Sequence, residues 1–285
     1  MNHKDFSDAA LVLLGHGTTQ NEESAAPVRQ HAAELRRRQI FAEVREAFWK
    51  QEPQVKAVLA ELKAPRVFIV PLFISEGFFS EEVIPCELGF SLTSEPASRI
   101  RHQTSRITHY CLPVGTHPSM TQVILSRAAE VVEKFPFPRL PKTKDLTLFI
   151  AGHGTARNKK SRESVERQVE LIRAQQLYAA VHAIFMEEDP RIADCYSLAQ
   201  TKSMVVVPFF LSDGLHTMED IPVLLGEPER IVKQRLAAGQ PTWRNPTERH
   251  GKLVWYSSAV GTEPHLAEVV LARVQEMAAV VGQAG

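Results

Sequence analysis

The amino-acid sequence predicts an α/β protein built from two duplicated, doubly wound domains, each with a mainly parallel four-stranded sheet flanked by helices. Two observations lead to this prediction. Short apolar runs without polar alternation are separated by segments of helical periodicity, and this pattern occurs twice in the 285 residues. Non-alternating runs are typical of strands that helices cover on both faces, as in parallel sheets. A chain of this length holds about two domains of ordinary size.

The apolar runs are the predicted strands, and the segments between them are the predicted helices. The helical segments place apolar residues three and four positions apart, as in residues 161–175 and 190–199. Pro53 and Pro190 suit the first turn of a helix, where a missing N–H costs nothing. Consecutive parallel strands joined by helices form right-handed βαβ units. The predicted strands are 9–14, 44–48, 67–73 and 107–114 in the first half, and 146–151, 180–185, 204–211 and 253–260 in the second.

An internal repeat accounts for this symmetry. The run LVLLGHGTTQN at 11–21 corresponds to LFIAGHGTARN at 148–158, and the register between the halves stays constant through the third predicted strand. The later pair VGTHP at 114–118 and VGTEP at 260–264 has a larger offset, so the second half contains an insertion. The segment GQPTWRNPTERHG at 239–251 is the candidate insertion. Such a repeat indicates a duplicated domain.

The repeat also sets the predicted domain boundaries. Residues 1–138 form the N-terminal domain and residues 139–285 the C-terminal domain, with FPFPRLPKTK at 135–144 as the linker. Trp243 lies in the candidate insertion, and our hypothesis is that this segment forms a flap over the ligand.

Composition excludes several classes of protein. Lys plus Arg equals Asp plus Glu at 33 each, so no net charge favours nucleic acid or an anionic membrane. The N-terminal apolar run is too short and too acidic for a signal peptide, and no run approaches the roughly 18 apolar residues that span a bilayer. Cys86, Cys111 and Cys195 form no CxxC pair, which predicts reduced thiols in a cytoplasmic protein, with Cys195 in a core.

Candidate functional residues follow the predicted strands. Ligands of doubly wound domains bind beyond the carboxyl ends of the strands. In the second half, GHGT, FMEEDP and SDGLH occupy those positions and supply His153, Glu187 and His216. The corresponding positions of the first half hold His16, Lys50 and Phe79. Because two of three polar groups are replaced there while the Gly and Pro residues are kept, the second half is the predicted working copy.

Two imidazoles and a carboxylate suit a divalent first-row metal ion, and the carboxylate can also accept a proton. Neither a cysteine nor an HExxH pair accompanies them, so such a sparse set would hold an ion loosely and favours its transfer over its storage. Structural roles stay open at this point. His153 suits a hydrogen-bonded turn, Glu187 suits a helix N-terminus, and His216 suits a position beside a helix cap.

The motifs LGHGT, AGHGT, FMEEDP and VVVPFFLSDGLHTMEDIP resemble those of the sirohydrochlorin chelatase family, the class II tetrapyrrole chelatases, in its long two-domain form. The likeness covers nearly the whole chain. It implies a class II chelatase-like fold and ATP-independent insertion of cobalt or ferrous iron into sirohydrochlorin, in cobalamin or sirohaem biosynthesis. The metal is then a substrate, and no tightly bound cofactor is expected.

The same resemblance implies roles for individual residues. The metal-binding histidines of the family fall on His153 and His216, and its acidic residue falls on Glu187, with Glu188 as an adjacent alternative. These are the candidate catalytic and metal-binding residues. In many long members the intact site lies in the N-terminal half, so the first half of this chain departs from that pattern. It resembles instead the cobalt chelatases whose working site is C-terminal.

The resemblance further implies that the carboxylate-rich macrocycle binds in a cleft between the two domains. Basic residues at helix N-termini and backbone amides would meet its carboxylates, and Lys50 is a further candidate at its rim. The candidate substrate-binding residues are Arg157, Lys159, Lys160, Arg191, Gly154 and Gly214.

Three kinds of function therefore remain open. The first is a chelatase for sirohydrochlorin, with cobalt favoured over iron by the C-terminal site. The second is a chelatase for another metal, such as nickel, or for a porphyrin. The third is a non-catalytic metal or tetrapyrrole carrier. We expect a monomer, since the duplication already supplies two lobes, and we expect His117 and His265 to be surface residues without a role.

Overall fold

The computed structural model describes residues 6–18, 22–90, 93, 96–103, 105–155 and 159–283. The chain forms two compact units: unit 1 comprises residues 1–117 and 264–285, and unit 2 comprises residues 118–263. Each unit contains one five-stranded sheet. The strands are β1 (Phe6–Gly15), β2 (Phe41–Phe48), β3 (Arg66–Pro71), β4 (Ile100–Gln103), β5 (Arg106–Tyr110), β6 (Leu146–Gly152), β7 (Ala180–Phe185), β8 (Ser203–Pro208), β9 (Thr247–Arg249) and β10 (Lys252–Tyr256).

Helices connect the strands in both units. A π-helical turn follows the third strand of each sheet, at Phe79–Val83 and His216–Asp220. Among the described helices, none is long and apolar enough to cross a membrane. The α-helices are α1 (Ala26–Arg37), α2 (Val55–Glu61), α3 (Ile84–Glu87), α4 (Met120–Lys134), α5 (Lys159–Ala174), α6 (Cys195–Leu198), α7 (Ile221–Leu224), α8 (Glu229–Ala237) and α9 (Leu266–Gln283).

The two sheets have the same topology. Their strand orders are β2-β1-β3-β5-β4 and β7-β6-β8-β10-β9. The first four strands of each order pair in parallel, and the last pairs antiparallel with its neighbour. The predicted fold class is confirmed, and all eight predicted strands are present. The predicted count of four strands is one short because the edge strands β4 and β9 are short and polar, so neither has an apolar run.

Each unit has its own core. All seven residues of β6 are buried, as expected for a central strand covered on both faces. Cys195 is fully buried in the core of unit 2, as predicted, and burial raises the pKa of its thiol to about 12. Trp243 is in the same core and only 4% exposed, and its indole N–H donates to the Val254 carbonyl. The flap hypothesis is therefore wrong for this side chain.

The last helix of each repeat, α4 in the first and α9 in the second, carries a buried arginine. This arginine holds the VGT turn of the compact unit in which its helix lies. Arg127 of α4 donates to the hydroxyl of Thr262 at 2.6 Å, within unit 2. Arg273 of α9 makes the equivalent bond to Thr116 at 2.6 Å, within unit 1. Consistent with these bonds, unit 2 includes α4 and unit 1 includes α9. The division predicted at residue 138 follows the repeat, whereas the compact units follow these contacts.

The VGT turn itself needs glycine because another backbone segment approaches it closely. A Cβ at Gly261 would lie 1.6 Å from the carbonyl oxygen of Leu211, and one at Gly115 would lie 2.0 Å from that of Ile74. Beside the first VGT turn, His117 is buried, and its Nε2 lies 3.2 Å from a carboxylate oxygen of Glu276. The surface position predicted for His117 is therefore wrong, and the motif has a structural role.

Replacing Gly261 by alanine should destabilise the protein strongly. The added methyl group overlaps a carbonyl oxygen that cannot move without shifting the backbone, so we expect a loss of about 3 kcal/mol or more in the free energy of unfolding. The control is Gly239→Ala, where a Cβ has no neighbour within 4 Å and only the positive φ (+63°) opposes the added methyl group. That change should cost about 1 kcal/mol. Equal losses in urea-induced unfolding would contradict the close-approach explanation.

Candidate functional site

The GHGT loop of unit 2 begins where β6 ends and has a constrained backbone. Gly154 has φ +67°, in the left-handed region, and a Cβ there would lie 2.9 Å from Cβ of Phe185. Both conditions favour glycine, so the second glycine of the motif is required by the turn. The turn directs the His153 side chain beyond the end of β6, where it is 35% exposed.

The carbonyl of His153 joins this loop to the one that follows β7. It accepts hydrogen bonds from the backbone N–H groups of Met186 and Glu187, both at 3.1 Å. Two loops that are distant in sequence are thereby held side by side. Unit 1 has the same link, since the N–H of Lys50 donates to the carbonyl of His16 at 2.8 Å.

His216 is positioned by the π-helical turn that follows β8. The hydroxyl of Tyr256, at the end of β10, donates to the carbonyl of Thr217 at 2.6 Å. Burial raises the pKa of Tyr256 well above its ordinary value, so this hydroxyl remains a donor. The hydroxyl of Thr217 in turn accepts the amide N–H of Gly214 at 3.0 Å. Hydrogen bonds on both sides therefore fix the turn that carries His216.

The two histidines converge. Their ring centroids are 5.0 Å apart, and the ring planes are nearly perpendicular at 79°. Nδ1 of His153 lies 2.8 Å from the carbonyl oxygen of Gly154, which can only accept a hydrogen bond, so this nitrogen carries the proton. Nδ1 of His216 lies 2.7 Å from a carboxylate oxygen of Asp220. In both rings Nε2 is thus the nitrogen left with a lone pair.

The structure distinguishes the two candidate acids. A carboxylate oxygen of Glu187 lies 3.9 Å from Nδ1 of His153, beyond hydrogen-bonding distance, and its side chain is 57% exposed. Glu188 instead forms an ion pair with Arg162 at 3.3 Å and is mostly buried. Glu187 is therefore the acid beside the imidazole pair, and Glu188 belongs to the supporting structure.

Among the described residues, no group of three His, Cys, Asp or Glu side chains is arranged as a complete metal site. The predicted ligands His153, His216 and Glu187 therefore do not form a closed cage. What the structure provides is an imidazole pair with a carboxylate nearby. This arrangement agrees with the loose hold on an ion that the sparse ligand set suggests.

The candidate substrate-binding residues fall into different environments. Arg157 lies outside the described residues. Lys159 and Lys160 are exposed in the first turn of α5. Arg191 donates to the carbonyl of Met186 at 3.0 Å, so part of its guanidinium supports the loop that carries the acid.

The two candidate glycines each have a structural role in their loop. The backbone N–H of Gly214 already donates to the hydroxyl of Thr217. This N–H is the group that we expected to bind a substrate carboxylate. Gly154 is explained by the left-handed turn that it adopts.

Sequence reasoning missed Asp220, which contacts His216 one turn away. A carboxylate that accepts the Nδ1–H of a metal-binding histidine fixes its tautomer and ring orientation. The repeat contained a signal for this residue, because HTMED in the second half corresponds to FSEEV in the first. Where Phe79 replaces the histidine, Val83 replaces its carboxylate partner. The two positions change together as one functional pair would.

The corresponding region of unit 1 keeps the backbone but not the polar side chains. Nδ1 of His16 lies 2.8 Å from the carbonyl oxygen of Gly17, as in unit 2. The neighbours of its ring are aromatic: Trp49 at 5.3 Å and Phe79 at 5.6 Å between centroids. Among the residues that the structure describes in this region, His16 is the one imidazole. That the second copy is the working one stays a prediction.

Comparison with known proteins gives concordant matches. The CbiX family matches residues 10–131 and 147–277, one segment in each repeat. A Halobacterium salinarum protein named "Probable sirohydrochlorin cobaltochelatase" is 40% identical over 286 residues, covering 96% of this chain and 94% of that one. A Methanopyrus kandleri "Sirohydrochlorin cobaltochelatase" is 30% identical over 139 residues, covering 46% of this chain and 96% of that one.

Solved structures share the fold. DR2241 from Deinococcus radiodurans, described as a multi-domain protein with structural similarity to chelatases and two additional novel domains, has a TM-score of 0.76 and 27% identity over 94% of this chain. This chain spans 55% of that protein. SirB from Bacillus subtilis with Fe3+ has a TM-score of 0.68 and 19% identity, covering 96% of this chain and 97% of SirB.

The contact between Asp220 and His216 leads to a test of metal binding. Asp220→Ala removes the acceptor that orients the imidazole, and we expect the affinity for Co2+ to fall by about 10- to 100-fold. Isothermal titration with cobalt alone measures this change. The matched control is Glu219→Ala, which removes the neighbouring carboxylate, whose ion-pair partner is Lys233 at 3.7 Å. If both variants bind cobalt equally well, Asp220 does not position the histidine.

Proposed function

Because the chain belongs to the CbiX family, we propose that it is an enzyme that inserts a divalent metal ion into sirohydrochlorin. The observation that carries this proposal is the convergence of His153 and His216, whose rings lie 5.0 Å apart with both Nδ1 atoms already engaged. The names of the curated relatives support sirohydrochlorin as the tetrapyrrole. ATP has no part in the proposed reaction.

The metal ion is a substrate and binds to Nε2 of the two histidines. Neutral imidazole is a good ligand for cobalt, iron and nickel alike. Two protein ligands leave the remaining coordination positions to water and then to the pyrrole nitrogens. A closed set of three or four protein ligands would retain the ion, whereas this open pair allows it to leave. Cobalt is the proposed metal because two curated relatives are named cobaltochelatases.

Metal insertion also requires proton transfer. A macrocycle that binds a divalent ion through its four ring nitrogens loses two N–H protons, and a base near the ion accelerates this step. Glu187 is the proposed acceptor, since its carboxylate is beside His153 but not tied to it. Its high exposure lets it pass a proton to water. Glu188 does not suit this role because its carboxylate is paired with Arg162.

The thermodynamic driving force belongs to the macrocycle, whose nitrogen atoms bind the ion more firmly than two imidazoles do. The protein contributes proximity of ion and ring, together with partial removal of the ion's water shell. Lys159 and Lys160 are the proposed partners of the substrate carboxylates. They lie at the start of a 16-residue helix, whose dipole also favours anions.

A turnover experiment separates an enzyme from a carrier. Sirohydrochlorin and Co2+ are mixed in large excess over the protein, the absorption change of the macrocycle is followed, and the rate without protein is subtracted. An enzyme converts many equivalents of sirohydrochlorin, whereas a carrier converts no more than one. Parallel runs with iron and nickel identify the preferred metal, and a run with a porphyrin tests the alternative tetrapyrrole.

Removing either imidazole of the pair should abolish most of the activity. We expect His153→Ala and His216→Ala each to lower kcat/KM by at least about 100-fold, since even the outer-shell partners of metal ligands contribute 10- to 100-fold. His265→Ala is the matched control, because that histidine is exposed and has no proposed role. If His16→Ala abolishes insertion while His153→Ala does not, the working copy is the first one.

The two adjacent acids should behave differently when each loses its charge. We expect Glu187→Gln to lower kcat by about 100-fold through loss of the proton acceptor, while the affinity for Co2+ changes little. Glu188→Gln should retain most of the activity, since its partner is a supporting arginine. A larger loss of kcat for Glu188→Gln than for Glu187→Gln would assign the proton to the other acid.

A further inference from the structure

Unit 1 carries an aromatic cluster where unit 2 carries the imidazole pair. We define this cluster as Trp49, Phe78 and Phe79, together with the ring of His16. The ring centroids of Trp49 and Phe79 are 4.8 Å apart, and those of Phe78 and Phe79 are 5.7 Å apart. The cluster lies beyond the carboxyl ends of β1, β2 and β3, which is where ligands of this fold bind.

Packing alone does not account for this cluster. Phe78 is 61% exposed and Phe79 is 42% exposed, so both present apolar faces to solvent. A change from histidine to phenylalanine that served the core would bury the new ring. Adjacent aromatic side chains left exposed on a rigid frame are typical of a binding surface.

The ammonium group of Lys50 lies at the edge of the aromatic cluster. Nζ of Lys50 lies 4.0 Å from the centroid of the Trp49 ring, and the residue is exposed. The ammonium group is thus held beside the aromatic faces by a cation–π contact. Apolar ring faces bordered by a cation complement a flat, conjugated ligand that carries carboxylates at its rim.

The cluster is unsuited to a metal ion. The counterparts of Glu187, His216 and Asp220 are Lys50, Phe79 and Val83, which offer no ligand at these positions. His16 alone retains an imidazole, and its Nδ1 is engaged by Gly17. A positive charge in place of the acid would also repel a cation.

From this arrangement we propose that the aromatic cluster of unit 1 is a binding site for the face of the tetrapyrrole, with Lys50 pairing one of its carboxylates. The inference rests on the proposed function, because it takes sirohydrochlorin as the ligand. In this view the duplicated site has exchanged metal binding for recognition of the macrocycle. Phe79 stacks on the ring, and Phe78 extends the apolar surface.

The test is binding of metal-free sirohydrochlorin to the full chain, followed by its absorption and by quenching of tryptophan fluorescence. We expect Phe79→Ala to weaken binding by about tenfold through loss of one stacked ring. Phe79→Leu keeps the apolar volume without the aromatic face and should be intermediate. Lys50→Ala should weaken binding by about threefold, and this difference should vanish at high salt.

The matched control is Phe137→Ala, which removes a ring that is 56% exposed but lies outside the cluster. It should bind sirohydrochlorin like the parent. Thermal unfolding shows whether each variant is folded, and the side chains chosen are exposed, so large losses of stability are not expected.

The outcomes separate this inference from the proposed function. If the parent inserts cobalt and Phe79→Ala and Phe79→Leu bind sirohydrochlorin as tightly as the parent, the aromatic-cluster site is overturned while the enzyme assignment stands. If the parent neither binds sirohydrochlorin nor inserts a metal, both fail. Weaker binding by Phe79→Ala, with unchanged affinity for Co2+ alone, supports the site.

Discussion

A single backbone contact underlies the candidate site: the carbonyl of the histidine in each GHG motif accepts the N–H of the loop that follows the second strand. In unit 2 this contact brings Glu187 beside His153. In unit 1 it brings Lys50 beside His16. The contact depends on main-chain atoms and on the left-handed glycine of the turn, not on the side chains that it brings together. The backbone is therefore preserved while the side chains at the ends of the strands change.

Because the backbone is held by contacts that do not involve the side chains at the strand ends, the two units can present different surfaces there. We call these shared contacts the frame. The frame includes the glycine turns, the buried arginines on the VGT turns, and the tyrosine hydroxyls that bond the π-helical turns at Ser80 and Thr217. All of these occur in both units. At the positions of Glu187, His216 and Asp220 in unit 2, unit 1 has Lys50, Phe79 and Val83.

Much of the fold could be predicted from the sequence because the repeat and the apolar runs are both strong signals. The eight buried strands, the core position of Cys195 and the placement of His153 and His216 beyond strand ends follow from them. The edge strands could not be predicted because IRHQ and TER are polar and short. The burial of Trp243 and His117 depends on neighbours that are distant in sequence. Finding Asp220 from the sequence would have needed a comparison of the two π-helical turns, HTMED and FSEEV, rather than of the histidine positions alone.

The choice between Glu187 and Glu188 also could not be made from the sequence. The sequence places both acids at the end of one strand, and only the ion pair between Glu188 and Arg162 distinguishes them. Similarly, the backbone amide of Gly214 was a candidate for binding a substrate carboxylate, but it donates to the hydroxyl of Thr217. The sequence identifies which residues lie at the strand ends. The structure adds their hydrogen-bond partners, which determine which atoms can still bind a ligand.

Anomalous diffraction at the cobalt absorption edge, from crystals soaked in Co2+, would show whether unit 2 presents two Nε2 atoms to a metal ion. We expect a cobalt peak bonded to Nε2 of both His153 and His216, with Asp220 still hydrogen-bonded to Nδ1 of His216. A peak bonded to His16 in unit 1, or to an Nδ1 atom of either histidine, would contradict this expectation.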